Sequence, residues 1–426
     1  MVSSHHELKR VKLFLIIKIK TKSREGDATA KPQKDGDVVA NYLTMTGHIC
    51  ADMNQGAISA ILPFLVVGSG YSYLQATMLV FASNIASAVI QPLFGWLGDK
   101  FHAPWFMALG VFLSGLGMTG IGYASEYWLV VVSALISGIG VAMFHPEGGR
   151  LANLAAGSLK GRGMSIFAVG GNIGFFIGPI ICAASLTAFG MHGTIAFLIP
   201  NTACAILLLC FNRRFMALGA PEVSHEDDDD NVLVKEHWDL FGMVMGIISA
   251  RSIIQYGVMA FIPLFLVSNM GQTEAFSSMV ISVFAIASAV ATAFSGRTAE
   301  GVGTLRLTLV SCAFAGIAIL AFAFNTNVTV AIVLTIILAL MLNIFYPSVV
   351  ALGMGYVPRH LGMASGLSYG VAICIGGITE PFLGYMGDQV GLSPVMVVLA
   401  IIALASMVVA AILRHMQNKK IKNSEM

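Results

Sequence analysis

Charge is what this chain is short of. Asp, Glu, Lys and Arg make up 11% of its 426 residues, against about 25% in a water-soluble domain, too little to cover a soluble fold of this length. Catalytic signatures are missing as well. There is no Walker A phosphate loop, no HExxH helix and no recognisable nucleophile site, which argues against an enzyme and against ATP-driven pumping. No folded soluble domain stands beside the apolar segments, as a membrane receptor or scaffold would carry. Cysteine is sparse: the six (Cys50, Cys182, Cys204, Cys210, Cys312, Cys374) all fall inside apolar segments, with no CxxC spacing. They read as small, reduced packing residues, neither a disulfide framework nor a metal site. No cofactor, metal or nucleic-acid partner is expected.

What the chain has in excess is apolar length. Hydrophobic residues make up 57% of it, in runs near the ~20 residues that cross a ~30 Å hydrocarbon core. Forty-five glycines suit close helix–helix approach in lipid. The expected class is an all-α integral membrane protein of twelve transmembrane helices, embedded in a lipid bilayer. The first six are placed near 42–68, 74–97, 104–123, 127–147, 163–189 and 193–211; the second six near 239–268, 275–297, 304–324, 328–352, 361–386 and 392–413. The expected organisation is an N-terminal arm 1–40, a first half 41–211, a linker 212–238, a second half 239–413 and a tail 414–426. The linker holds Arg213, Arg214 and the acidic run Glu226 to Asp230, a solvated stretch. The arm is basic and irregular, and its apolar piece Leu13 to Ile17 is too short to span. It reads as a disordered or membrane-surface arm, or as the product of a mis-assigned start codon.

The placement of the few charges sets the topology. All 24 Lys and Arg residues except Arg251 fall in the termini, the even-numbered loops or their helix ends. By the positive-inside rule both termini and the 212–238 linker are cytoplasmic, in a cell membrane. The chain also repeats itself. At an offset of 201, Gly95 meets Gly296, Asp99 meets Glu300, Phe144 meets Phe345 and Pro146 meets Pro347; at 200 Pro63 meets Pro263, and at 202 Pro179 meets Pro381. A near-constant offset across four helices of each half argues duplication. Two parallel six-helix halves are the architecture of the major facilitator superfamily, with substrate bound between them near the midplane.

Three motifs carry a family resemblance. After the second helix, Gly95-Trp96-Leu97-Gly98-Asp99-Lys100 resembles the loop signature of that superfamily, with the degenerate copy Gly296-Arg297-Thr298-Ala299-Glu300 in the second half. The glycine permits close contact with a neighbouring helix, and Asp99 faces the positive end of the eleventh helix and pairs with an arginine, for which Arg150 is the candidate. The bland alternative is that Asp99 only caps a helix. In the fifth helix, Gly170-Gly171-Asn172-Ile173-Gly174 through Gly178-Pro179 looks like the glycine-and-proline motif of antiporters. It either marks coupling or only packs. The fourth helix ends Phe144-His145-Pro146-Glu147-Gly148-Gly149-Arg150. Together with Gly47-His48 and Asp52, this closely resembles the fosmidomycin resistance protein family over most of residues 41–413. Members of that family are drug exporters thought to exchange substrate for protons. One departure from the wider antiporter pattern is Ala134, where an arginine often precedes the Gly-x-Gly, here Gly138 and Gly140.

Ionisable groups in hydrocarbon are costly, so each needs a reason to be there. Asp52 lies near the midplane of the first helix, with His48 and Gln55 on its face at spacings of four and three. A carboxylate beside an imidazole holds or releases a proton as local wetting changes; alternatively the pair is fixed and structural. Arg251 is the basic residue inside the membrane, followed by Ser252, Gln255 and Tyr256. It either grips an anionic substrate with its planar fork or forms an ion pair with Asp52. Asn172, Asn343 and Tyr346 are further cavity candidates. His145, Glu147, Arg150, Asp99 and Gly95 are assigned to a cytoplasmic gate, with proton carriage the other reading of His145 and Glu147. Glu380 is placed at the outer interface. The resemblance implies a proton-coupled antiporter exporting small organic molecules or drugs, and the alternative is a transporter of an endogenous organic anion or metabolite; a monomer is expected.

Overall fold

The computed structural model describes residues 36–424 apart from 102, 158–159, 219–235, 361–363, 365–366 and 369–371. Most of the N-terminal arm, the acidic run of the linker and the tail's end lie outside the described residues. So do the side chains of Asp99, Lys160 and Arg162. Among the described residues there is no strand.

The helices follow the apolar runs. In the N-terminal group they are α1 (Val38–Ala60), α2 (Leu62–Ser69), α3 (Tyr73–Phe101), α4 (Trp105–Tyr123), α5 (Tyr127–Ala155), α6 (Lys160–Phe189), α7 (Ile195–Cys210) and the short α8 (Asn212–Met216). The C-terminal group has α9 (Trp238–Met270), α10 (Glu274–Val302), α11 (Thr304–Ala323), α12 (Val328–Ile344), α13 (Tyr346–Tyr356), α14 (Ala372–Val390) and α15 (Leu392–Ser424). Nine helices among the described residues are long and apolar enough to cross a membrane, ten if α1 and α2 form one bent span. That measure stops short of twelve. It takes Gly163–Cys210 as one 48-residue stretch, although the 3₁₀ turn Gly190–Thr194 divides it, and α14 falls outside it.

Proline explains the bend. Pro63 sits in the first turn of α2, which leaves α1 at 43°, because its ring removes an N–H and crowds the carbonyl four residues back. Its repeat counterpart Pro263 lies inside the uninterrupted α9, so the same residue breaks one copy and not the other.

Asp37 meets Ala155 and Arg214, and His237 meets Tyr356, at the end of the bundle here called the linker face; the turns after α2, α4, α6, α9, α11 and α14 make the far face. At the far face the two groups are sealed. Asp388 at the end of α14 accepts hydrogen bonds from the N–H groups of Tyr73 (2.7 Å) and Leu74 (2.9 Å) at the start of α3. The Tyr73 hydroxyl bonds Ser268 Oγ at 2.8 Å, Ser278 donates to the Ala60 carbonyl, and Ser282 donates to the Phe176 carbonyl at 2.8 Å. One apolar cluster runs through both groups, from Met53, Leu62 and Leu79 to Phe261, Phe284 and Leu399. The remaining clusters are each confined to one group, around Phe241 and Phe345, around Phe144 and Leu208 and around Phe106. The core is therefore continuous between the groups toward the far face and divided toward the linker face.

Candidate functional site

Glycine seats the site. A Cβ on Gly170, Gly174 or Gly178 of α6 would stand 2.5, 2.5 and 2.2 Å from the carbonyl oxygens of Met45, Ile49 and Met53 of α1. Both rows step by four residues, so the two backbones lie against each other over two turns. Gly171, next to this row, faces the side chains of His48 and Asp52; a Cβ there would meet Asp52 Oδ2 at 2.7 Å and His48 Nε2 at 2.8 Å. The glycine motif thus brings α6 close enough to pack the ionisable residues of α1.

Those residues form a three-part cluster. His48 Nε2 lies 3.1 Å from Asp52 Oδ2, and His145 Nε2, arriving from α5, lies 3.1 Å from Asp52 Oδ1. Asp52 is 4% exposed. His48 Nδ1 faces the Phe167 carbonyl at 2.7 Å, and His145 Nδ1 faces the Val141 carbonyl at 3.0 Å. A carbonyl oxygen only accepts, so each Nδ1 carries the hydrogen. Both Nε2 atoms are then bare in a neutral ring, with lone pairs aimed at one carboxylate. Two protons shared among His48, Asp52 and His145 turn both contacts into hydrogen bonds. His48 also stacks on Phe167 at 4.0 Å between centroids, which fixes its ring. His145, assigned from sequence to the gate with proton carriage as its other reading, stands in this cluster, while Pro146 and Glu147 follow it without a break in α5.

Arg251 has a separate setting in the C-terminal group. Its Nε donates to the Leu342 carbonyl at 3.1 Å, Nη2 donates to Asn343 Oδ1, and its guanidinium lies 4.3 Å from the Tyr346 ring centre. Asn343 is held by Ser288 Oγ (2.9 Å), the Ala339 carbonyl (2.8 Å) and Gln255 Oε1 (3.5 Å). The suggested Asp52–Arg251 ion pair does not occur; each has other partners, and no carboxylate neutralises Arg251 among the described ion pairs. Tyr256 stands within electrostatic reach of Arg251, Tyr346, Asp52 and Glu380. By the 201-residue offset His145 corresponds to Tyr346 (145 + 201 = 346). The same repeat position serves an anion in one group and a cation in the other. Gln55 is half-buried, and Asn172 is exposed and outside the cluster.

The Major Facilitator Superfamily profile matches residues 44–240 and again 240–426. The chain belongs to that superfamily. The transporter is 26% identical over 367 residues to the fosmidomycin resistance protein of Escherichia coli (strain K12), covering 84% of this chain and 89% of that one. It is 27% identical over 384 residues to the uncharacterized MFS-type transporter YfnC of Bacillus subtilis (strain 168), covering 86% and 91%. Both bear out the resemblance read from the motifs. Among solved structures, a bacterial homolog of the human lysosomal transporter Spinster, in an inward-facing and occupied conformation, superposes with TM-score 0.74 at 14% identity, covering 91% of this chain and 98% of that one. The nucleoside transporter NupG (D323A mutant) gives 0.68 at 14% identity, covering 88% and 99%. The chain is a multi-pass membrane transporter with the fold of this superfamily.

In the transporter, Glu147 and Arg150 pair with each other on α5, Arg150 Nε donating to Glu147 Oε2 at 2.9 Å and Nη2 to Oε1. Among the described residues Arg150 Nη1 has no hydrogen-bond partner. The Asp99 side chain, its assigned partner, lies outside the described residues. Gly95 is not pressed: a Cβ there would meet Pro146 Cβ at 3.7 Å, ordinary contact. On the linker face, Asp37 caps α1 through the Ala40 N–H (3.0 Å) and pairs with Arg214 (2.7 and 2.9 Å). Burial pulls the Asp37 carboxyl upward, but the Arg214 guanidinium and the Ala40 N–H outweigh it and hold it below the usual carboxylate range.

Two features escaped the sequence reading. Glu380 is fully buried, and neither carboxyl oxygen has a hydrogen-bond partner among the described residues, whereas its position before Pro381 had placed it at the outer interface. Asn54 joins α1 to α4 and α7 by donating to Ser114 Oγ (3.0 Å) and Asn201 Oδ1 (3.1 Å). Two asparagines and a serine on three apolar helices were the available signal.

Proposed function

We propose that the transporter is a monomeric proton antiporter that exports small organic molecules, drugs among them, from the cytoplasm. The observation that carries this reading is the buried His48–Asp52–His145 cluster, which forms its hydrogen bonds only when it shares two protons. A proton site in one group and a cation, Arg251, with no carboxylate partner among the described residues, in the other supply unequal binding to the two orientations, which coupling requires. The likeness to the Escherichia coli fosmidomycin resistance protein supports drug export. Arg251, with Gln255, Tyr256 and Tyr346 around it, favours a substrate carrying negative charge, and for that reason an endogenous organic anion is the second reading.

With both termini in the cytoplasm, the far face is the outer one, and the arrangement sealed there is open inward. Substrate enters from the linker side and meets Arg251 and Tyr256; protons reach Asp52 from the other side after the two groups rock. Glu147, Arg150 and Asp99 close the cytoplasmic end in that second state. Transport of fosmidomycin and a panel of organic anions in proteoliposomes, with and without an imposed pH gradient, tests this. Asp52→Asn should still exchange substrate across the membrane but fail to concentrate it against its gradient. A well-folded Asp52→Asn protein that still concentrates substrate on a pH gradient would remove the cluster from coupling.

A further inference from the structure

We propose that His48, Asp52 and His145 form a binding site for a divalent transition-metal ion of the zinc class. Two imidazoles and one carboxylate are a ligand set that such ions take, with a fourth position left open. Two ligand atoms on a tetrahedral ion with bonds of ~2.1 Å stand about 3.4 Å apart. The two N···O separations here, one to each oxygen of Asp52, are both 3.1 Å, and one donor atom from each of the three residues can be chosen so that all lie within 4.8 Å of one another. Small rotations of two side chains therefore bring all three to one ion.

The outer shell is already in place. Imidazoles that ligate metals donate their other N–H to a carbonyl or carboxylate, which fixes the tautomer and aims the free nitrogen. Both rings here do so, His48 through the Phe167 carbonyl and His145 through the Val141 carbonyl, and both Nε2 lone pairs converge on Asp52. A neutral pair of rings around a carboxylate sets lone pairs against negative charge, and a dication between them removes that conflict. Gly171 leaves the α6 side clear, since a Cβ would lie 2.8 Å from His48 Nε2. The way in passes His145, whose side chain is 22% exposed. The other ionisable groups nearby are the Tyr256 hydroxyl from α9, within electrostatic reach of Asp52, and Glu147, which Arg150 engages. Metal binding needs only this ligand geometry, whether or not the same cluster moves protons during transport.

The test is direct binding to the purified, chelator-treated full chain. Equilibrium dialysis against Zn²⁺ should give one ion per chain bound through the cluster, and Co²⁺ should give the visible absorption of a tetrahedral nitrogen–oxygen site. His145→Gln should weaken that binding at least about 100-fold, the upper end of what outer-shell changes alone cost, with size-exclusion behaviour and melting temperature reporting the fold. Asp52→Asn is the second variant, should His145→Gln not fold. His360→Gln removes the surface pair that His360 makes with Glu236 at 2.9 Å and should leave the cluster's ion in place. Absence of saturable binding overturns the assignment, as does binding that survives both cluster variants or disappears with His360→Gln.

Discussion

Asp388 offers the sharpest test of how the two groups close. Its carboxylate, at the end of α14, caps the N-terminus of α3 in the other group through two N–H groups at 2.7 and 2.9 Å. Losing a helix N-cap costs about 0.5–2 kcal/mol, and a full negative charge at a helix N-terminus adds about 0.3–1 kcal/mol. The contacts are solvent-exposed, so Asp388→Ala should lose about 1–2 kcal/mol. The two residues belong to different groups and meet only while the far face is shut. The loss therefore falls on one state alone and should shift the open-to-closed ratio there about 5–30-fold. Asp388→Asn keeps one acceptor and should shift it less. Spin labels on cysteines replacing Ser125 and Thr326, in a background without the native cysteines, report the distance across the far face by pulsed dipolar spectroscopy. Asp388→Ala should populate a longer distance and Asp388→Asn an intermediate mixture. An unchanged distance distribution in Asp388→Ala would refute the latch.

Gly174→Ala should destabilise the purified protein by about 1–3 kcal/mol as an overpacked contact, because its Cβ would meet backbone, Ile49 O at 2.5 Å and Met53 N at 2.8 Å. Gly95→Ala, with ordinary 3.7 Å contact, should melt like wild type; equal melting of the two variants would contradict the packing argument. Asp37 tests the linker-face tie. Its folded-state carboxyl is held below the usual value, so its contribution is present above about pH 3.9, the unfolded value, and is lost as pH falls through the folded value. The stability difference between wild type and Asp37→Asn should therefore be visible near neutrality and vanish in acid. A difference that persists undiminished in acid would sink that linkage.

Much of this transporter was legible without coordinates because lipid leaves a chain few options. Unsatisfied backbone is so costly in hydrocarbon that long apolar runs must be helices, and charge is confined to the ends, so the all-helical class and the 201-residue repeat could be read from residue types alone. Asp52 and Arg251 stood out for the same reason, as rare charges at membrane depth, and His48 followed by helical spacing. Partners at long sequence separation were another matter. His145 stands 93 residues from Asp52 (145 − 52 = 93), in a motif whose neighbours Glu147 and Arg150 do face each other. Only the packing of α5 and α6 on α1 decided that His145 turns to Asp52, and only that of α12 and α13 on α9 that Arg251 takes Asn343 and Tyr346. Glu380 was misplaced because spacing within one helix does not say which face another helix covers. Sequence periodicity fixes direction around an axis, whereas the choice of partner depends on how closely two axes approach. Here that distance was set at the glycines of α6, where the backbone of α1 fills the space that side chains would have taken.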